Sequence, residues 1–217
     1  PKALELAAYE TVHAANMAFG LCPMLSLAAI EALDLKLVNA IDTHTHADHI
    51  TALGDLRDTT GCVTIMGQFT KAECVSEQVR EGEVINVDGV KLHALYTPGH
   101  TDESFSFVLN PDAPIGVFTG DVLLIRGTGR TDFQGGDPHK SWDSIVNKLF
   151  ALPDDTLVWA AHDYKGWMTS SIGEEKRHNP RLAGKTEAEY VDIMRNLKLP
   201  NPKLMDVAVP ANLACGR

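Results

Sequence analysis

Short runs of β-branched, aromatic and aliphatic residues recur along the chain at Leu37–Ile41, Val63–Met66, Val84–Val87, Val90–Leu95, Phe105–Leu109, Ile115–Phe118 and Leu157–Ala160. Each is bounded by polar or turn-forming residues, and each predicts a strand. Three segments carry the longer helical period instead. Residues 25–36 put Leu25, Leu27, Ile30 and Leu33 on one face and predict a helix leading into the first strand. Ser141–Phe150 is amphipathic, with Ser141 as the expected N-cap and Pro153 beyond its end. Thr186–Leu197 opens with Thr186 and Glu189 three residues later, the spacing of a capping box. Strands interleaved with helices predict an α/β sandwich in which two sheets pack face to face with helices outside.

No repeat, linker or low-complexity tract divides the chain, so one domain spanning 1–217 is expected. Residues 1–24 fit this scheme least well, being Ala-rich and without the alternating strand expected at the start of a sandwich. The formal charge of −10 opposes binding to phosphate backbones and excludes a nucleic-acid partner. No apolar run approaches the roughly 18 residues of a membrane span. Four cysteines (Cys22, Cys62, Cys74 and Cys215) contain no C-x-x-C pair. That scatter predicts free thiols in a reducing compartment. The first residues resemble neither a signal peptide nor an Arg-rich transit peptide, so a secreted protein is not expected.

The densest chemistry lies in Thr43-His44-Thr45-His46-Ala47-Asp48-His49, directly after a predicted strand. Three imidazoles and a carboxylate crowded into six residues repel one another when protonated and contribute little to a core. A metal is what makes such crowding favourable. Three further candidates also follow apolar runs: His100 in a Pro-Gly turn after Val90–Leu95, Asp121 after Ile115–Phe118, and His162 after Leu157–Ala160. Strand ends are where open α/β architectures place their sites. The residues by themselves favour a two-metal hydrolase. His44, His46 and His100 would hold one ion, Asp48, His49 and His162 the second, and Asp121 would bridge them.

This set resembles the metallo-β-lactamase superfamily, an αββα sandwich with two mixed sheets. A finer resemblance lies in Gly129-Arg130-Thr131-Asp132-Phe133-Gln134-Gly135-Gly136, in Ala161-His162-Asp163-Tyr164, in Glu174–Leu182, and in the ending Val209–Gly216. These stretches are similar to the persulfide dioxygenases, also called sulfur dioxygenases, and the similarity runs in order from about residue 25. Residues 1–24 do not resemble the strand pair with which that family begins.

The resemblance implies one Fe(II) per chain, held by His44, His100 and Asp121, with open positions for a persulfide sulfur and O2. The implied reaction takes glutathione persulfide, O2 and water to sulfite and glutathione, as in sulfide detoxification. His46, Asp48, His49 and His162 would then orient ligands and relay protons, or hold a second metal. Arg130, Arg181 and Tyr164 are the candidate substrate-binding residues, since glutathione offers two carboxylates to an arginine fork. Cys215 is a candidate redox-sensitive thiol. A homodimer is expected from the family, and no membrane partner; sulfide oxidation would suit the bacterial cytoplasm or the mitochondrial matrix. Two readings compete: a glyoxalase II-like dinuclear hydrolase of S-lactoylglutathione, and a non-enzymatic metal scaffold or thiol sensor.

Overall fold

The computed structural model describes residues 28, 30–32, 34–87 and 89–217. Two compact units emerge. The first contains the chain through Val79 together with Pro200–Arg217, and the second runs from Arg80 to Leu199. Among the described residues no helix is long and apolar enough to cross a membrane. Leu25, Leu27 and Leu33 of the predicted first helix, and all of residues 1–24, lie outside the described residues, whereas 30–32 are helical.

In the first unit a parallel three-stranded sheet runs in the order β1 (Asn39–Ile41), β2 (Val63–Gly67), β3 (Glu77–Val79). Helix α1 (Leu53–Thr60) lies between β1 and β2 in sequence. It ends where Gly61 enters the left-handed region at φ 72°, its N–H bonded to the Arg57 carbonyl. Leu53, Ala40, Cys62, Met66, Ala72 and Cys215 form this unit's apolar core. The sequence pattern missed β3 because only one of its three residues is buried.

The second unit is built on a mixed six-stranded sheet. Its members are β4 (Val84–Val87), β5 (Val90–Tyr96), β6 (Phe105–Leu109), β7 (Gly116–Gly120), β10 (Leu157–Ala160) and β11 (Ser170–Ser171). The order across the sheet is β11-β10-β7-β6-β5-β4. A two-stranded ribbon, β8 (Leu123–Leu124) with β9 (Gly127–Thr128), stands beside it. All five residues of β6 are buried, the one polar member, Ser106, with its hydroxyl 2.8 Å from that of Thr97. The core joins Val108, Val117 and Val158 of the sheet to Ile145, Leu149, Ile172, Tyr190 and Met194. Only glycine fits at 116: a Cβ there would stand 2.4 Å from the Trp159 ring.

Helix α2 (Pro138–Asp143) begins earlier than predicted. Its N-cap is Asp137, whose carboxylate accepts from the backbone N–H groups of His139 and Lys140, with Pro138 in the first turn. Ser141 is instead buried, its hydroxyl 2.8 Å from that of Tyr190. The segment continues through a wider turn at Ser144–Lys148 and a tight one at Leu149–Ala151. Helix α3 (Ile172–His178) follows β11, and α4 (Glu187–Arg195) carries the predicted Thr186–Glu189 capping box. Helix α5 (Met205–Leu213) returns to the first unit.

Register in the large sheet decides where the loops emerge. Antiparallel pairing of Phe107 with Phe118 brings the start of β6 to the end of β7. Parallel pairing of Ala160 with Gly120 brings the end of β10 to the same edge. The loops carrying His100, Asp121 and His162 therefore leave one edge of one sheet.

Candidate metal centre

In the second unit, His100, Asp121 and His162 come together as that register requires. His162 Nδ1 lies 2.7 Å from Asp121 Oδ1, and His100 Nε2 lies 3.6 Å from Asp121 Oδ2. The other nitrogen of His100 is committed: Nδ1–H donates to the Arg130 carbonyl at 2.8 Å. This fixes the tautomer with the Nε2 lone pair turned toward Asp121. Two donors each about 2.1 Å from one ion stand roughly 3 to 3.6 Å apart, so His100 and Asp121 have the spacing of two ligands on one ion.

Gly129 is the hinge of this corner. Its N–H donates to the Asp121 carbonyl at 2.7 Å, and a Cβ at this position would meet that oxygen at 2.2 Å and His100 Nδ1 at 2.8 Å. The chain between Asp121 and Arg130 is the β8–β9 ribbon, so a single hairpin supplies both the carboxylate and the carbonyl that orients His100. The tip of the hairpin is pinned by Arg126, whose guanidinium pairs with Glu174 and Glu175. Glu175 is completely buried and also accepts from Arg126 N–H, Ser170 Oγ and Asn179 Nδ2 at 2.9, 2.7 and 2.8 Å.

In the first unit, His44, His46, Asp48 and His49 fold into one loop beyond the end of β1. His44 and His46 are buried, with ring centroids 4.3 Å apart, and His46 and His49 follow at 4.2 Å. Thr43 Oγ1 lies 2.9 Å from His44 Nδ1, which leaves Nε2 as the nitrogen that could meet an ion. Ligand atoms of His46, Asp48 and His49 lie within 4.8 Å of one another, a second group able to hold a cation. Asp48 Oδ1 also stands 3.1 Å from His49 Nδ1.

The predicted substrate residues fare unequally. Arg130 holds Asp132 bidentately, Nε and Nη2 each 2.6 Å from a carboxylate oxygen, with the guanidinium 4.0 Å over the Phe133 ring. That hydrogen bond from Arg130 holds the Asp132 carboxyl below its ordinary value. Tyr164 is 79% exposed, yet its ring stacks on His162 at 5.6 Å and 3°. Arg181 is engaged in the fold: Nη1 donates to Thr128 O at 2.6 Å and to Thr128 Oγ1 at 3.1 Å, and burial lowers its guanidinium pKa.

Cys215 is not a free thiol. It forms a disulfide with Cys74, which corrects the expectation of four reduced cysteines; pairing across 141 residues leaves no local spacing to read. Among the described residues Cys62 is the free cysteine, and it is buried. Two supporting residues of the His-rich loop were not recognised from the sequence. Asp42 accepts from Thr51 Oγ1 at 2.6 Å and lies 3.9 Å from His46 Nε2; its place directly before the motif was the available signal. Asn212 bonds the same loop from the far end of the chain; it lies in the family-like ending Val209–Gly216, but nothing local tied it to the His-rich loop.

The family model of the Metallo-beta-lactamase superfamily matches residues 11–162. The human protein "Persulfide dioxygenase ETHE1, mitochondrial" is 44% identical over 188 residues, covering 86% of this chain and 72% of the human one. The crystal structure of ETHE1 from Myxococcus xanthus superposes with a TM-score of 0.84 at 52% identity, covering 88% of this chain and 83% of that one. Hydroxyacylglutathione hydrolase GloC of Haemophilus influenzae is 35% identical over 179 residues, 72% of this chain and 81% of that protein. The chain belongs to the metallo-β-lactamase superfamily and, within it, to the persulfide dioxygenase family of enzymes.

Proposed function

We propose that the protein is an iron(II)-dependent dioxygenase of glutathione persulfide, with one iron held by His44, His100 and Asp121. The observation that carries this reading is the His100–Asp121 pair, at ligand spacing and with the His100 tautomer set by the Arg130 carbonyl. His44, with Thr43 beside its other nitrogen, is the third ligand of the proposal. Two imidazoles and one carboxylate suit iron(II), which when bound would supply redox chemistry with O2.

The balance is glutathione persulfide plus O2 plus H2O giving glutathione, sulfite and two protons. The terminal sulfur is oxidised, O2 is reduced, and the S–S bond breaks to release the thiol. The protein's own groups bind, orient and move protons. Asp121, hydrogen-bonded to His162, is held in one orientation, and His162 would take a released proton. Arg130 would meet a glutathione carboxylate by exchanging Asp132 for it. Tyr164 sets its exposed ring parallel to the His162 imidazole, beside the proposed site.

A second reading rests on the group His46, Asp48 and His49, which could hold a second ion and support hydrolysis of a glutathione thioester, the activity class that the name of the Haemophilus relative denotes. One experiment separates them. Oxygen uptake is followed with glutathione persulfide on iron-loaded protein, and S-lactoylglutathione hydrolysis is followed on the same preparation. Persulfide-dependent uptake without thioester hydrolysis is expected; hydrolysis without uptake would overturn the dioxygenase reading.

A further inference from the structure

The loop that carries His44, His46, Asp48 and His49 is held by a side chain from the other end of the sequence. Asn212, 4% exposed, spends its whole carboxamide there: Nδ2 donates to the carbonyls of His46 and His49, each at 2.8 Å, and Oδ1 accepts from Thr51 N–H at 2.8 Å. Thr51 passes the restraint on through its hydroxyl to Asp42. Three bonds from one rigid amide fix both ends of the His-Ala-Asp-His stretch.

The helix that presents Asn212 has little of its own to hold it in place. Within Met205–Leu213 only Ala208 and Asn212 are buried, and Pro210 interrupts its hydrogen bonding. The chain just beyond the helix is held firmly. Cys215 is 1% exposed, its carbonyl accepts from Gly54 N–H at 3.0 Å, and its sulfur is bonded to Cys74. Gly54 is required by this closeness, since a Cβ there would lie 2.5 Å from the Cys215 carbonyl oxygen. The disulfide is therefore the covalent fastening of the segment that positions the loop.

We propose that Asn212 is a positioning residue for the His44–His49 loop and that the Cys74–Cys215 disulfide is a thiol-sensitive latch on it. The loop's role as a metal loop rests on the function proposed above. The reductant is a low-molecular-weight thiol of the glutathione class. Its thiolate attacks Cys74, the half-buried sulfur, breaking the S–S bond; Cys215 leaves as a thiolate and takes a proton. A second thiol resolves the mixed disulfide, so two small thiols become one small disulfide and both cysteines end reduced. In a thiol-rich compartment such a bond acts as a switch rather than a permanent staple. A protein that releases a thiol as product would thereby loosen its own metal loop as that thiol accumulates.

The test is amide hydrogen exchange on the full-length chain, read by mass spectrometry at residues 42–51 and 205–217 before and after graded dithiothreitol. Cysteines are counted by alkylation on the same samples. Reduction is expected to speed exchange at 42–51 about tenfold, the effect of loosening two or three hydrogen bonds, while Leu157–Ala160 is unchanged. Asn212→Ala is expected to exchange fast at 42–51 while still oxidised, and Cys74→Ser to show no response to thiol. Should the alanine variant fold poorly, Asn212→Asp keeps the acceptor for Thr51 and confines the faster exchange to 46–49. Unchanged exchange at 42–51 on full reduction overturns the latch, as does a free-thiol count showing both cysteines reduced in protein prepared without reductant. Oxygen uptake with glutathione persulfide is measured alongside. Loop exchange that responds as stated, with no uptake in any form, supports the latch and removes the dioxygenase reading.

Discussion

His100 donates its Nδ1 proton to the carbonyl oxygen of Arg130 at 2.8 Å, and Gly129, the residue before that carbonyl, leaves no room for a side chain between them. The orientation of one proposed ligand is thus set by the backbone of the hairpin that begins at the other, Asp121. Gly129→Ala should disturb both at once. A Cβ 2.2 Å from a backbone oxygen forces the main chain to shift, with an expected loss of about 1–3 kcal/mol of stability and at least tenfold weaker metal retention. Gly127→Ala, whose nearest neighbour is 3.8 Å away, is the control and should keep both. Chelator competition on the two variants measures the difference.

The site was legible to the degree that its signals are local. The crowding of His44, His46 and His49 needs no fold to be noticed, and His100, Asp121 and His162 each stand after a run that forms a strand. What brings the last three together is register, Phe107 on Phe118 and Ala160 beside Gly120, and single-chain periodicity does not reveal which strands pair. The roles of Asn212 and of the Cys74–Cys215 bond lie further out of reach, because the residues they join are 141 or more positions apart. The helix start at Asp137 rather than Ser141 has a plainer cause: Asp-Pro outcompetes serine as a cap, which frees the serine hydroxyl for Tyr190.

Glu175 should be the most sensitive carboxylate to remove. It is completely buried and bound by four donors, among them the Arg126 guanidinium. Glu175→Ala leaves the guanidinium only its half-exposed Glu174 partner, takes the acceptor from three further donors, and should cost about 3–5 kcal/mol. Glu174→Ala, removing the exposed partner of the same arginine, should cost under about 1 kcal/mol. Urea midpoints of the two variants decide whether the buried carboxylate or the exposed one anchors the hairpin tip.

Burial pushes the Tyr190 phenol above its ordinary pKa, against the weaker pull of its bonds to Ser141 and Thr128 and of nearby Arg181. The neutral phenol is what the fold prefers. Its contribution is therefore complete below about pH 10, where the unfolded chain is also neutral, and is lost as pH rises from there through the raised folded value. Tyr190→Phe should cost about 1 kcal/mol at neutral pH through its lost hydrogen bonds. The variant should then lose less stability than the wild type between pH 8 and pH 11, as read from denaturant midpoints; an equal loss in both would contradict the assignment.

Asp132 occupies the Arg130 fork that a glutathione carboxylate would need. If a glutathione carboxylate takes the place of Asp132, Arg130→Ala raises KM for glutathione persulfide by roughly ten- to a hundredfold with kcat little changed, the worth of a charge-assisted bidentate pair. Asp132→Asn weakens the internal competitor and lowers KM. A raised KM in Asp132→Asn would mean that the pair acts as a unit that shapes the loop.

The most direct test of the central claim is the metal count of anaerobically iron-loaded protein, measured by elemental analysis for the wild type and for Asp121→Ala and His49→Ala. One iron per chain in the wild type, lost in Asp121→Ala and kept in His49→Ala, is the result that a single centre at His44, His100 and Asp121 predicts. Two metals per chain, with one lost in His49→Ala, would contradict it and make the dinuclear hydrolase the better account.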